Sequence, residues 1–299
     1  MNRRQFLAAA LVTGFAGPAR AAARPRFGVT LHPYYSYVAN IVGDRAEVVP
    51  IIPSGFNPHA YEPRPDDISR IGTLDAIVVN GIGHDDFAGR MIAASAKPKL
   101  PVVEANAEVP LLPAGGMAAK TSGKVVNPHT FLSITGASLQ VGTIARELGR
   151  LDPANAETYA VNARAYARRL RRLRADALAK LSGAGDARLR VATIHGAYDY
   201  LLREFGLEVA AVVEPAHGIE PSPAQLAETI ERLRKLDVQV IFSELDFPSA
   251  YVDTIRRETG IRLYAFSHIS HGAYAADLFE REMTRNLDTL VQAMLEARE

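Results

Sequence analysis

A chain of 299 residues that is 48% hydrophobic and 22% charged has ordinary globular composition and enough length for two packed cores, which excludes a disordered or fibrous protein. It contains neither cysteine nor tryptophan, so a disulfide framework, a thiol nucleophile, an iron–sulfur cluster and a thiolate metal site are all excluded. Lys and Arg number 34 against 33 Asp and Glu, a formal +1.

The first element in chain order reads as a leader. Arg3-Arg4-Gln5-Phe6-Leu7 runs into an apolar stretch ending at Ala16, and Ala19-Arg20-Ala21 forms a small-x-small cleavage pattern. The run is too short for a permanent membrane helix, and paired arginines followed by Phe-Leu resemble a twin-arginine export signal. Removal of residues 1–21 would leave 31 basic against 33 acidic residues, a charge of −2, which argues against nucleic-acid binding. No other apolar run approaches membrane length and no cysteine could carry a lipid, so a soluble periplasmic protein is expected.

Beyond the leader, short β-branched strands alternate with helical patterns, and the chain repeats itself. Arg26–Tyr37 parallels Arg190–Tyr200, Glu47–Pro53 parallels Glu208–Pro215, and Glu62-Pro63-Arg64-Pro65 parallels Glu220-Pro221-Ser222-Pro223. Each half continues into a helical stretch and a buried-looking strand, Ala76–Asn80 and Val238–Ser243. This predicts an α/β fold of two related lobes, residues 22–151 and 184–299, each a mostly parallel sheet flanked by helices. Residues 152–183 are predicted to be one long helix joining them, opened by Asp152-Pro153 and closed by Ser182-Gly183. Tyr166, Leu170, Leu173, Ala177 and Leu181 form its apolar stripe, and ~30 residues at ~1.5 Å each would span ~45 Å. Arg168, Arg169, Arg171, Arg172 and Arg174 fall largely off that stripe and read as a solvated face. Pro110–Lys124 reads as a surface loop.

Several of the eight histidines stand where a strand gives way to a helix. His59 lies in Asn57-Pro58-His59-Ala60-Tyr61-Glu62-Pro63 and His129 in Asn127-Pro128-His129-Thr130-Phe131, while His195 ends Val191–Ile194 and His268 follows Ile261–Phe266. Such junctions converge beyond the carboxyl ends of parallel strands. Proline ahead of His59 and of His129 fixes φ and so presets the direction of each ring. Four imidazoles from four loops suit a tetrahedral ion, zinc first, with copper and nickel as alternatives. His271 competes with His268 for the last place. His32, the repeat mate of His195, reads as structural, and His84 and His217 read as rim residues.

These motifs together resemble the periplasmic solute-binding proteins of zinc/manganese ABC transporters. Pro53-Ser54-Gly55-Phe56-Asn57-Pro58-His59-Ala60-Tyr61-Glu62-Pro63-Arg64-Pro65 is similar to the family's P-x-G-x-x-P-H-x-Y-E-P-x-P signature, joined by Asn127-Pro128-His129 and His195-Gly196-Ala197-Tyr198. The resemblance implies one ion held between two lobes, with His59, His129 and His195 matching the first three ligands. The family's fourth ligand, typically an aspartate, falls here at His268, and its second ligand usually follows Asp-Pro rather than Asn-Pro. The histidine-rich loop of many zinc members has no counterpart in Pro110–Lys124. By this resemblance the chain is expected to be a monomeric, non-enzymatic receptor that delivers zinc, or alternatively copper, nickel or manganese, to an ABC permease. A zinc hydrolase would need an open coordination position and a carboxylate base. No His-Glu-x-x-His occurs, and Glu62 and Glu244, the only candidate bases, suit outer positions better. An adhesin or metallochaperone without a permease would share the site and differ in its partner.

Overall fold

The computed structural model describes residues 23–54, 56, 61–114, 126–182, 189–214, 221–245 and 250–297; the leader lies outside them. Strands β1 (Arg26–Val29), β2 (Glu47–Pro50), β3 (Ala76–Val79) and β4 (Val102–Glu104) form one parallel sheet in the order β2-β1-β3-β4. Strands β5 (Val191–Thr193), β6 (Val209–Val212), β7 (Val240–Glu244) and β8 (Arg262–Phe266) repeat that order as β6-β5-β7-β8. Register also repeats, with Phe27 opposite Ala76 in the first sheet and Val191 opposite Val240 in the second. In both, strand order reverses between the first and third strands, and ligands settle at such reversals in open parallel sheets.

Helices α1 (His32–Val42), α2 (Pro65–Ile71) and α3 (Phe87–Ala94) belong to the first sheet, and α6 (Asp199–Arg203), α7 (Pro223–Lys235) and α8 (Ala250–Thr259) to the second. Helices α4 (Ile134–Leu151), α5 (Ala156–Leu181) and α9 (Leu278–Glu296) complete the set, with α5 packed on α4, α1 and α9. Alternation along the central strands explains the layering. Ala76 and Val78 face a core that continues through Tyr34, Tyr37, Tyr166 and Leu170 to Val240, Phe242 and Leu290, while Ile77 and Val79 face a separate outer cluster with Ile71 and Met91. In the second lobe Ala192 and Ile241 pack outward on Leu233 and Ile255. Both sheets are thus covered on both faces, as short parallel strands require. The two lobes share one continuous inner core and carry an outer cluster each, where length alone suggested two cores.

The linking helix is present, but Asp152-Pro153 opens a 3-10 turn over Pro153–Asn155 and the α-helix begins at Ala156. Asp152 ties that turn by accepting hydrogen bonds from Asn155 Nδ2 (2.8 Å) and Tyr159 Oη (2.6 Å). The apolar stripe holds, with Tyr166, Leu170 and Ala177 buried and Leu173 and Leu181 packed against the core. Arg168, Arg171 and Arg172 are exposed. Arg169 instead bridges elements, pairing with Glu280 of α9 (2.9 Å) and donating to Asn40 Oδ1 of α1 (2.6 Å). No described helix is long and apolar enough to cross a membrane.

Candidate metal centre

The first lobe's wall of the cleft begins at Asn80, the residue after β3. The loop beyond it turns on Gly81 (φ +76°) and Gly83 (φ +106°), left-handed conformations that side-chain-bearing residues avoid. Asp85 closes it: its carboxylate accepts from Asn80 N (2.6 Å), Gly81 N (3.1 Å) and Thr30 Oγ1 (2.5 Å). His84 is thereby held inside the cleft, 3% exposed. Burial, with a smaller contribution from nearby His195, lowers its ring pKa from 6.5 to about 3, which keeps the imidazole neutral and able to ligate a metal.

His129 precedes the 3-10 turn Thr130–Leu132. A buried polar network lies behind it. Gln140 Nε2 donates to Asn106 Oδ1 and Thr130 Oγ1, both at 2.8 Å, and Asn106 Nδ2 reaches the Asn80 carbonyl at 2.9 Å. Asn80 Nδ2 in turn donates to Tyr34 Oη (2.9 Å) and to the Pro128 carbonyl (3.0 Å), so the supports of His84 and His129 are one unit.

The second lobe contributes His195 after β5, Glu244 at the end of β7 and His268 after β8. Glu214 Oε2 lies 3.6 Å from His195 Nδ1, and Tyr251 Oη donates to its other oxygen at 3.0 Å. Tyr198 Oη donates to Glu244 at 3.3 Å. The loop after β8 is clamped by Asn286 of α9, which accepts from Ser267 N (2.7 Å) and donates to its carbonyl (2.8 Å). Ile269 there is left-handed at φ +58°, a conformation costing a β-branched residue about 1–3 kcal/mol. Its amide donates to Ser267 Oγ (3.1 Å) and its side chain is buried in the main core, so the surroundings hold it there.

Across the cleft the two walls meet. His129 and His195 bring their Nε2 atoms to 3.2 Å, and the His129 and His268 ring centres lie 5.2 Å apart. Ligand atoms of His84, His129 and His268 lie within 4.8 Å of one another, as do those of His195, Glu244 and His268. All five side chains are buried. A cation with bonds of ~2.1 Å sets neighbouring donor atoms roughly 3.0–3.4 Å apart, which the Nε2 pair already matches.

Of the residues singled out from the sequence, His129, His195 and His268 come together. His59 and His217 lie outside the described residues. His84, expected at the rim, is buried in the cluster, because the β3 loop sits at the strand-order reversal. Among the described residues, His268 belongs to both clustered groups, and the half-buried His271 to neither. His32 keeps a structural role, bonding the Gly272 carbonyl (3.1 Å) and stacking on Tyr274 at 4.0 Å. Glu62 is exposed, whereas Glu244 stands among the histidines rather than behind them. Sequence reasoning missed His84 and gave Glu244 an outer place. No local signal marked either one, since only the strand order places β3 and β7 beside the reversal.

Two related α/β lobes closing on buried imidazoles and a carboxylate describe an extracytoplasmic solute-binding protein for a metal ion, the receptor component of an ABC transporter and not an enzyme. The chain belongs to the ZnuA family, zinc-uptake complex component A, periplasmic, whose model matches residues 28–293. Among solved structures, the SBP FpvC from Pseudomonas aeruginosa in complex with Mn2+ is 72% identical, with a TM-score of 0.88, covering 91% of this chain and 99% of that one. FpvC with Ni2+ is 70% identical, with a TM-score of 0.86, covering 91% and 97%. The metal ABC transporter substrate-binding lipoprotein ScbA of Streptococcus cristatus is 27% identical over 263 residues, 85% of this chain and 84% of ScbA.

Proposed function

We propose that the protein captures one divalent first-row transition ion between its lobes and presents it to an ABC permease. His129, His195 and His268 serve as ligands, joined by His84 and Glu244 and by His59 from the Pro53–Pro65 block. The observation that carries this reading is the convergence of buried imidazoles from both lobes, with two Nε2 atoms 3.2 Å apart. Neutral nitrogen ligands favour zinc, nickel or copper, while the Glu244 carboxylate and the number of nearby donors extend the site to six-coordinate ions. FpvC, solved with Mn2+ and with Ni2+, supports that breadth. We place zinc first on its fit to imidazole, ahead of nickel and manganese.

Residues 1–21 act as the export signal, and residues 22–151, 152–183 and 184–299 form lobe, link and lobe. Although ScbA is a lipoprotein, a sequence without cysteine suits an unanchored periplasmic form. Elemental analysis of the purified protein, followed by competitive titration with zinc, nickel, copper and manganese, tests the reading. One ion per chain, lost on changing His129 or His268 to alanine, is expected. Manganese held more tightly than zinc would overturn the metal assignment, and unchanged binding in both variants would overturn the site.

A further inference from the structure

Asn127 is fully buried and lies two positions before His129. Its carboxamide touches both lobes. Oδ1 accepts from the His129 backbone N–H (3.1 Å) and lies 2.8 Å from His129 Nδ1. Nδ2 donates to the Gly196 carbonyl (2.9 Å) and to Asp199 Oδ2 (3.0 Å). Gly196 is the residue after His195, so one amide joins a proposed ligand of the first lobe to the backbone carrying a proposed ligand of the second.

These partners fix which way the amide points. The Gly196 carbonyl and the Asp199 carboxylate can only accept, so the NH2 end must face them, and the oxygen faces the His129 backbone N–H, which can only donate. An oxygen in that place can only accept from His129 Nδ1. The ring therefore carries its proton on Nδ1 and leaves the Nε2 lone pair directed at the cleft, 3.2 Å from His195 Nε2. A carboxylate at position 127 could hold His129 in the same tautomer. It could not donate to Gly196, and it would set a second negative charge against Asp199. Asparagine in Asn127-Pro128-His129 thus supplies a neutral bond between lobes where a carboxylate would bring charge.

Resting on the site proposed above, we infer that Asn127 is a positioning residue: it sets the His129 tautomer and locks His129 and His195 into one unit spanning the cleft. Partners of metal-bound histidines contribute about 10–100-fold in affinity.

The test measures Ni2+ and Zn2+ binding by competition with a chromophoric chelator, using the full mature chain and His129→Ala as reference. Asn127→Ala should bind one ion about 10–100-fold more weakly. Asn127→Asp should also be weakened although it keeps the acceptor, and Asn127→Asp combined with Asp199→Asn, which restores a donor facing a carboxylate, should recover at least part of the loss. An Asn127→Ala affinity within twofold of the parent, with His129→Ala severely weakened, overturns the positioning role and leaves the site intact. Parent-like binding in both overturns the site itself. Nitrogen-15 NMR of the metal-free parent at about pH 8, above the ordinary imidazole range, is independent of whether any variant folds. A His129 proton found on Nε2 overturns the inference, and one on Nδ1 supports it.

Discussion

The two walls of the cleft are built from different chemistry. Behind His84 and His129 lies a web of neutral side chains, Asn80, Asn106, Thr130, Gln140 and Tyr34, while the Asp85 carboxylate ties Asn80, Gly81 and Thr30 together. The opposite wall carries charge: Glu214 stands beside His195, and Glu244 lies among the ligand atoms. A neutral buried web is rigid because each amide has few acceptable arrangements, and leaving one member unpaired is costly. A carboxylate attracts the cation directly and decides which ions are welcome. One lobe thus supplies geometry and the other supplies charge.

The largest effects should come from the proposed ligands on the two walls. A four-ligand zinc site is worth roughly 10–16 kcal/mol, so changing His129, His195 or His268 singly to alanine should remove about 3–4 kcal/mol, a loss of several hundred-fold in affinity by chelator competition. Similar losses from both walls would confirm that the ion is shared, and a loss confined to one wall would break the comparison.

Next comes the web itself. Asn106→Leu takes the acceptor from the Thr130 hydroxyl and the donor from the Asn80 carbonyl and leaves Gln140 with its bond to Thr130, and should cost about 2–4 kcal/mol in urea unfolding of the metal-free protein. Glu244→Gln should cost much less there, since its wall is built for charge rather than rigidity.

Acidity separates the walls from their support. Burial, partly offset by the Gly272 carbonyl, lowers the His32 ring from 6.5 to about 4. Between those values the unfolded chain binds a proton that the folded chain refuses, so stability falls as pH drops from 6.5 towards 4. That contribution reaches at most about 3 kcal/mol. His32→Asn should reduce the pH dependence of unfolding over that window by about one proton, leaving the part that His84 contributes with the same sign, and an unchanged slope would show that His32 does not take part.

Smaller still is the change in preference at Glu244. With the carboxylate made an amide, manganese affinity should fall about tenfold, ~1.4 kcal/mol, while zinc falls less because its imidazoles remain. Equal losses for the two ions would mean that Glu244 acts through Tyr198 and the loop rather than on the ion.

Much of this was legible in the chain. The paired blocks at Arg26 and Arg190 showed that the lobes are related, and strand order then repeats in detail. Local pattern sufficed because each βαβ unit is specified by its own apolar alternation and turns. The strand end at His195 pointed to the cleft for the same reason, since a histidine at the carboxyl end of a parallel strand has little choice of direction, whereas His129 precedes a 3-10 turn and was marked by Asn127-Pro128 alone.

Other features needed the third dimension. His84 comes after β3, and nothing local records that β3 lies beside β1 at the strand-order reversal, where its loop turns inward. Glu244 sits on a strand as regular as its neighbours, and only the approach of His195 and His268 makes its carboxylate part of a cluster. The preference for His268 over His271 likewise depends on Asn286 reaching from α9 to clamp Ser267. Sequence alone determined the repeated fold and pointed to His195 and His268, because periodicity and strand-end position are local properties. Tertiary structure decided which histidines and carboxylates share one cavity, because convergence depends on which strands are neighbours and on hydrogen bonds between residues far apart in the chain.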